Sequence, residues 1–149
     1  MNTKHTYRLS ILLVFCLVSL LHVKAQDSHE ANSIKELVTA SYLEPLYQKG
    51  SIEKIKEGFH EGFNMYVLYK GKFSTRTRDA WIEKIKAVRT RNLPEKAYSW
   101  KFDMIDIAGQ TAMVKLNIFE KEELKYIDYL TLYKFNEGWK VITKQFSMY

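Results

Sequence analysis

The ten residues "TAMVKLNIFE", Thr111 to Glu120, set the tightest limit on what this chain can fold into. Ala112, Val114, Leu116 and Ile118 fall on one face, the period-2 pattern of an antiparallel strand with one side covered. "YSWKFDMIDI" precedes it across a turn at Ala108-Gly109. "KYIDYLTLYKF" follows after a charged turn, and "WKVITKQF" after Asn136-Glu137-Gly138. Four such segments separated by turn residues predict a meander.

The first half reads differently. Ser33 with Glu36 three residues on forms a capping box, and Ile34, Leu37, Val38, Ser41 and Tyr42 follow at helical spacing. Pro45 should kink or end that helix, and Gly50 should close it. A shorter helix runs from Ser51 through Ile52, Ile55 and Phe59. "FNMYVLYKGKFSTR" predicts a hairpin turning near Lys70-Gly71, with Tyr and Val supplying strand propensity. Thr77 to Arg91 predicts a third helix with Trp81, Ile85 and Val88 on its buried stripe, stopped by Asn92-Leu93-Pro94. Helices on one side of a curved antiparallel sheet make an α+β architecture. Large side chains must fill the space between the layers, or a cavity remains.

Composition bears on where such a domain works. Lys4, His5 and Arg8 precede the apolar run "LSILLVFCLVSLLHV", and "VKA" stands before Gln26, the layout of a cleaved export signal over residues 1–25. The run is too short for a membrane anchor, which needs about 20 apolar residues. The expected product is exported, periplasmic or extracellular. Residues 26–32 form a flexible lead-in and residues 33–149 a single domain. The signal takes Lys4, Arg8 and Lys24 with it and no acid, so the net charge falls from +6 to +3. That weakens any case for nucleic acid, which calls for a concentrated basic footprint. Cys16, the only cysteine, leaves as well, and with it every disulfide, thiol nucleophile and thiolate metal site. The domain must stand on its core.

The segments "SYLEPLYQKGSIEKIKEGFH", "DAWIEKI", "MIDIAGQTAMVKL" and "IDYLTLYKFNEGWKVITKQF" together resemble the nuclear-transport-factor-2-like superfamily. Within it they are most similar to the small exported bacterial proteins grouped as putative lumazine-binding. The resemblance implies a cone-shaped fold, with three N-terminal helices packed on a strongly curved antiparallel sheet. It does not choose an activity, because the superfamily spans ketosteroid isomerases, polyketide cyclases, dehydratases and non-catalytic binding or accessory domains. By that likeness Tyr42 and Asp128 match the tyrosine and protonated aspartate that hold an oxyanion in the isomerase, a worked case of pKa tuning. The isomerase's base has no counterpart, since "FNMYVLYKGKF" lacks a carboxylate and Val67 stands in its place. Proton abstraction of that kind therefore has no evident agent.

Asp128 keeps three readings. It pairs with Tyr42 and hydrogen-bonds a ligand, it satisfies Tyr42, His60 or a backbone amide, or it sits wet near the strand's start. In the first, desolvation in an apolar pocket would let the acid keep its proton and donate it. His60 is either a general base facing the cavity or a histidine capping its helix against aromatics. Catalytic candidates are thus His60 and Asp128. Candidate ligand contacts are Tyr42, His60, Met65, Val67, Trp81, Trp100 and Asp128. No metal set is expected, because His29 and His60 are the only histidines outside the signal. Nor does any cofactor motif appear: the chain has no Gly-rich phosphate loop and no nucleophile elbow. Lys70, Lys72, Arg76, Arg78, Lys84, Lys86, Arg89 and Arg91 face only Asp79 and Glu83. This run either meets an anionic ligand, an acidic partner or a lipid head group, or, as the buried stripe of the third helix predicts, points to solvent.

The expected function is binding of a small, largely apolar molecule between helices and sheet, without catalysis. The rivals are an isomerase, cyclase or hydrolase working through His60 and Asp128, and an accessory interaction module whose cavity is filled. A homodimer through the sheet is the expected partner state, since Leu130 and Leu132 mark one face of their strand and Tyr129, Tyr133 and Phe135 the other. Neither nucleic acid nor a stable membrane anchor is expected.

Overall fold

The structure is a computed structural model and describes residues 28–91, 94 and 96–149. The expected export signal over residues 1–25 lies outside the described residues, as do Asn92 and Leu93 of the expected helix stop. The chain divides into two compact units, Met1–Asn32 and Ser33–Tyr149. Of the first, only 28–32 are described, and they are helical rather than a loose lead-in.

Helix α1 (28–38) places Ser33 inside a helix, so the expected capping box at Ser33 and Glu36 does not start one. A single π-helical turn, Thr39–Leu43, continues it, followed by the short α2, Glu44–Tyr47, with Pro45 in its first turn. The wide turn has a local cause. Pro45 offers no N–H to the carbonyl of residue 41, and its ring crowds that carbonyl in a regular α-helix. The Ser41 hydroxyl bonds back to the Leu37 carbonyl at 2.6 Å, which also loosens the ladder. Lys49 takes the left-handed conformation (φ 55°), and the Gly50 amide returns to the Glu44 carbonyl at 2.9 Å. The helix stop therefore uses Lys49 for the unusual φ and Gly50 for the returning bond and the close approach, since a Cβ at Gly50 would lie 3.0 Å from the Glu44 carbonyl carbon.

Helix α3, Glu53–Gly58, is shorter than expected. Strand β1, Phe59–Tyr69, begins where the third apolar residue of that helix was anticipated, so Phe59 and His60 belong to the sheet. β1 turns through Lys70 and Gly71, both at positive φ, into β2, Lys72–Thr77. Two left-handed residues are what a tight two-residue hairpin requires. Thr77 caps α4, Arg78–Arg89, by accepting from the Ala80 amide at 3.4 Å. The meander is β3, Tyr98–Ala108; β4, Thr111–Glu120; β5, Glu123–Phe135; and β6, Gly138–Met148.

The six strands lie in the order β2-β1-β6-β5-β4-β3. All pairs are antiparallel except β1 with β6, which run parallel. That pair corrects the expectation of a wholly antiparallel sheet. The chain between them holds a helix and four strands, ample for the long connection that parallel pairing demands. Register shifts interrupt β1/β6, β3/β4, β4/β5 and β5/β6, and each such bulge bends its strand, so the sheet curves.

The concave face carries the core. Val114, Leu116, Ile118, Leu130, Leu132 and Val141 are wholly buried. They pack with Ile34, Val38 and Leu43 from the helical segment, Ile55 from α3 and Ile82 from α4. Phe59 and Phe63 meet edge-to-face with centroids 4.9 Å apart, and Trp81 lies 5.3 Å from Phe59. Such pairs add roughly 0.5–1.5 kcal/mol beyond their burial.

α3 reaches the π turn through Gly58. A Cβ at this position would sit 2.0 Å from Ser41 Oγ and 2.2 Å from Ser41 Cβ. Because one of those atoms is fixed to the backbone, a rotamer change cannot relieve the overlap. Gly58→Ala is expected to cost about 1–3 kcal/mol in urea unfolding. In a Ser41→Gly background the same substitution should cost less, since both clashing atoms are gone. An equal cost in both backgrounds would disprove this contact.

Candidate functional site

Asp128 sits on the concave face of β5, opposite Leu116 of β4 and Phe146 of β6, and is fully buried. The strand's alternation puts it there, in step with Leu130 and Leu132. The Tyr42 hydroxyl, carried down by the π turn, donates to its Oδ2. Lys144 Nζ lies 2.6 Å from Oδ1. It approaches at an angle that makes the contact an ion pair rather than an aligned hydrogen bond, so Oδ1 accepts none. Oδ2 thus accepts from a phenol, and Oδ1 faces an ammonium. Toward Tyr42, Asp128 is the acceptor.

The sequence reading did not anticipate Lys144. On β6, Trp139 and Val141 point inward, and plain alternation would send Thr143 and Gln145 inward next. Instead Val141 pairs with Leu132 and Thr143 with Thr131, leaving Ile142 as an extra residue. This bulge shifts the phase by one, so Lys144 and Phe146 turn to the concave face. Nothing in "WKVITKQF" marks where the extra residue falls.

Lys144 is 4% exposed, and its ammonium lies 4.4 Å from the Phe146 ring centroid and 5.3 Å from that of Tyr42. Burial pulls its pKa below the ordinary lysine value, and the charge of Asp128 opposes that pull. Burial pushes the phenol of Tyr42 well up, and the Asp128 charge pushes it further. Tyr47 is raised by the same two causes in the same order.

A cavity of about 420 Å³ opens beside this group. Tyr42, Asp128 and Lys144 line its polar side. Leu46, Met65, Trp81, Ile85 and Phe146 form apolar wall. Val88 and Met148, 41% and 49% exposed, stand at its rim. The third-helix stripe thus grades along the cavity from buried Trp81 through Ile85 to exposed Val88.

Of the seven expected ligand contacts, the structure gathers Tyr42, Met65, Trp81 and Asp128 around this cavity. The other three lie elsewhere. His60 stacks on Phe135, centroids 4.7 Å apart and planes 8° apart, and its Nδ1 accepts from the Gly62 amide at 3.0 Å. It caps no helix and does not line the cavity, because the chain has already become strand at Phe59. Val67 and Trp100 are half-buried against the core and are absent from the lining. His60 and Asp128, the two catalytic candidates, therefore share no site.

The basic run also needs correction. Arg76, Lys84 and Arg89 line the cavity rather than pointing away. Lys84 stands three residues after Trp81 and so shares its face. Arg89 Nη2 donates to the carbonyls of Pro45 and Gly50, tying α4 to the end of α2. Arg78 donates to the Phe59 carbonyl at 3.1 Å. Among the described residues no three His, Cys, Asp or Glu side chains come together to hold a metal ion, and no helix is long and apolar enough to cross a membrane.

Residues 29–147 match the pattern of a family described as "Putative lumazine-binding". No curated protein matches the chain. Among solved structures, an NTF2-like protein of unknown function from Silicibacter pomeroyi DSS-3 aligns with a TM-score of 0.68 and 16% identity, covering 83% of this chain and 98% of that one. One from Shewanella baltica OS155 gives 0.68 and 17%, covering 84% and 95%. An NTF2-like protein with a cystatin-like fold from Novosphingobium aromaticivorans gives 0.66 and 19%, covering 86% and 87%. At these identities the likeness establishes the fold.

The buried phenols make stability depend on pH. In the unfolded chain Tyr42 and Tyr47 ionise near 10, whereas the folded chain holds their protons to higher pH. Their contribution is present below pH 10 and is lost as pH rises above it. Lys144 works in the opposite sense. Its folded pKa lies below the unfolded value of 10.5, so its penalty eases as pH climbs toward that value. Urea midpoints measured from pH 8 to 11.5 should therefore fall above pH 10. In Tyr42→Phe the fall should be shallower by up to about 1.4 kcal/mol per pH unit. Identical slopes for the two proteins would contradict a buried Tyr42 phenol.

Proposed function

We propose, for a chain that belongs to the putative lumazine-binding family, that it is a non-catalytic domain holding a small, largely apolar molecule in the cavity beside Tyr42, Asp128 and Lys144. The observation that carries this reading is the cavity's make-up: about 420 Å³, walled by Leu46, Trp81, Ile85 and Phe146, with Tyr42, Asp128 and Lys144 in contact among its lining. Ligand sites commonly combine that volume range, apolar walls and a few convergent polar groups. Tyr42, Asp128 and Lys144 are engaged with one another, which suits orientation of a ligand better than proton transfer. An enzyme working through His60 and Asp128 loses support, because His60 packs on Phe135 and is not a lining residue. The space beside Tyr42 and Trp81 speaks against an accessory module with a filled cavity.

N-phenyl-1-naphthylamine, a neutral apolar dye that brightens when shielded from water, tests this reading. The full chain should enhance its emission. Ile85→Trp, which fills the wall, should weaken binding by about tenfold or more; Val88→Trp at the rim serves if the first variant unfolds. No enhancement, or equal binding in a folded blocking variant, would sink the proposal.

We also propose that two copies associate through the convex sheet face. Tyr129 and Tyr133 of β5 lie on the side opposite Leu130 and Leu132, and register brings Met113 and Met104 onto that same side. All four are 38–46% exposed and together form an apolar patch. Sedimentation velocity should give a dimer for the wild type and a monomer for Met113→Glu. A monomeric wild type at high micromolar concentration would refute it.

A further inference from the structure

Four cations line the cavity, Arg76, Lys84, Arg89 and Lys144, against a single carboxylate, Asp128. Two of the four are already engaged. Lys144 is paired with Asp128, and Arg89 donates to the Pro45 and Gly50 carbonyls. Arg76 and Lys84 have neither an acid nor a hydrogen-bond partner among the described residues. Their neighbours in the basic run do: Arg78 contacts Asp79 at 3.1 Å, and Lys86 contacts Glu83 at 2.9 Å.

Backbone geometry explains why both reach the cavity. Arg76 stands opposite Met65 in the β1–β2 register, so the two side chains share a face, and Met65 is a buried wall residue. Lys84 lies one helical turn beyond Trp81 on α4, on the face that continues through Ile85 and Val88. An exposed lysine beside a half-exposed valine marks the side where solvent enters. A cationic entrance therefore leads to apolar walls and to a polar group at Tyr42 and Asp128.

We infer that the occupant of this cavity carries an anionic group, such as a carboxylate, sulfonate or phosphate, at one end of an apolar body, and that Arg76 and Lys84 bind that group at the entrance. This rests on the proposed binding function and narrows its ligand class from apolar to amphipathic and acidic. Cationic side chains lining a partly enclosed site attract an anion more strongly than the same charges on open surface, because low-dielectric walls focus the field. The guanidinium of Arg76 suits a planar carboxylate or a tetrahedral oxyanion through paired N–H donors. Lys84 adds a mobile point charge. An uncharged occupant would leave both cations unanswered beside its apolar surface.

Two dyes of one skeleton separate this inference from the reading beneath it. 1-Anilinonaphthalene-8-sulfonate is N-phenyl-1-naphthylamine with a sulfonate added. The full chain should bind the sulfonate about tenfold more tightly than the neutral dye, and each should displace the other. Arg76→Gln/Lys84→Gln should bring the ratio of the two affinities close to one, and raising NaCl to 1 M should shrink it in the wild type. Equal affinities in the wild type, or a ratio unchanged by the double substitution, would overturn the anionic ligand while leaving the cavity's binding role standing. Binding of neither dye would overturn both. Sulfonate binding that persists in a folded Ile85→Trp chain, without competition from the neutral dye, would place the anion on the outer surface and also overturn the inference.

Discussion

The buried contact of Asp128 with Tyr42 and Lys144 joins three parts of the molecule. Tyr42 belongs to the helical segment, Asp128 to β5 and Lys144 to β6. Burying such an ion pair is costly, and replacing one by apolar residues of similar volume is often neutral or stabilising. Removing a single partner is different, because it strands the other charge in a dry interior, typically at several kcal/mol. The arrangement is therefore less a source of stability than a condition on geometry: helix, β5 and β6 must meet so that neither charge is left alone.

Two local irregularities make that meeting possible. The π turn at Thr39–Leu43 is the backbone's answer to Pro45 and Ser41, and it carries Tyr42. The extra residue at Ile142 reverses the facing of β6 and carries Lys144 inward. Each departs from regular hydrogen bonding by one residue, as is frequent where a backbone serves a site. Gly58 fits the same pattern, since it lets α3 approach Ser41 more closely than any residue with a Cβ could. The cavity lies alongside these features, where α4 runs past the end of the core. Its stripe passes from buried Trp81 and Ile82 to exposed Val88 within two turns.

The order of elements, the meander, the hairpin turn at Lys70-Gly71 and the buried faces of β4 and β5 could all be read in the residues. They depend on local periodicity and on turn residues with few conformational options. Asp128 could be singled out for a related reason, because a polar residue in a run that is otherwise core must find a partner; Tyr42 was marked by the family resemblance. Their contact was one of three readings left open. His60 was misplaced because helix and strand compete at Phe59, and the tertiary pairing of Phe59 with Val141 settled it as strand.

What the amino-acid order determines here is thus the fold class, the apolar face of β4 and the presence of a carboxylate, Asp128, in an apolar run, since each follows from spacing along a few neighbouring residues. Tertiary structure alone decided that Lys144 would meet that carboxylate, that β1 and β6 would run parallel, and that Arg76, Lys84 and Arg89 would turn toward a cavity. Those outcomes depend on where one strand gains a residue and how a helix is rotated over a sheet. Both are fixed by packing between segments far apart in the chain, and such packing leaves no periodic mark in either segment.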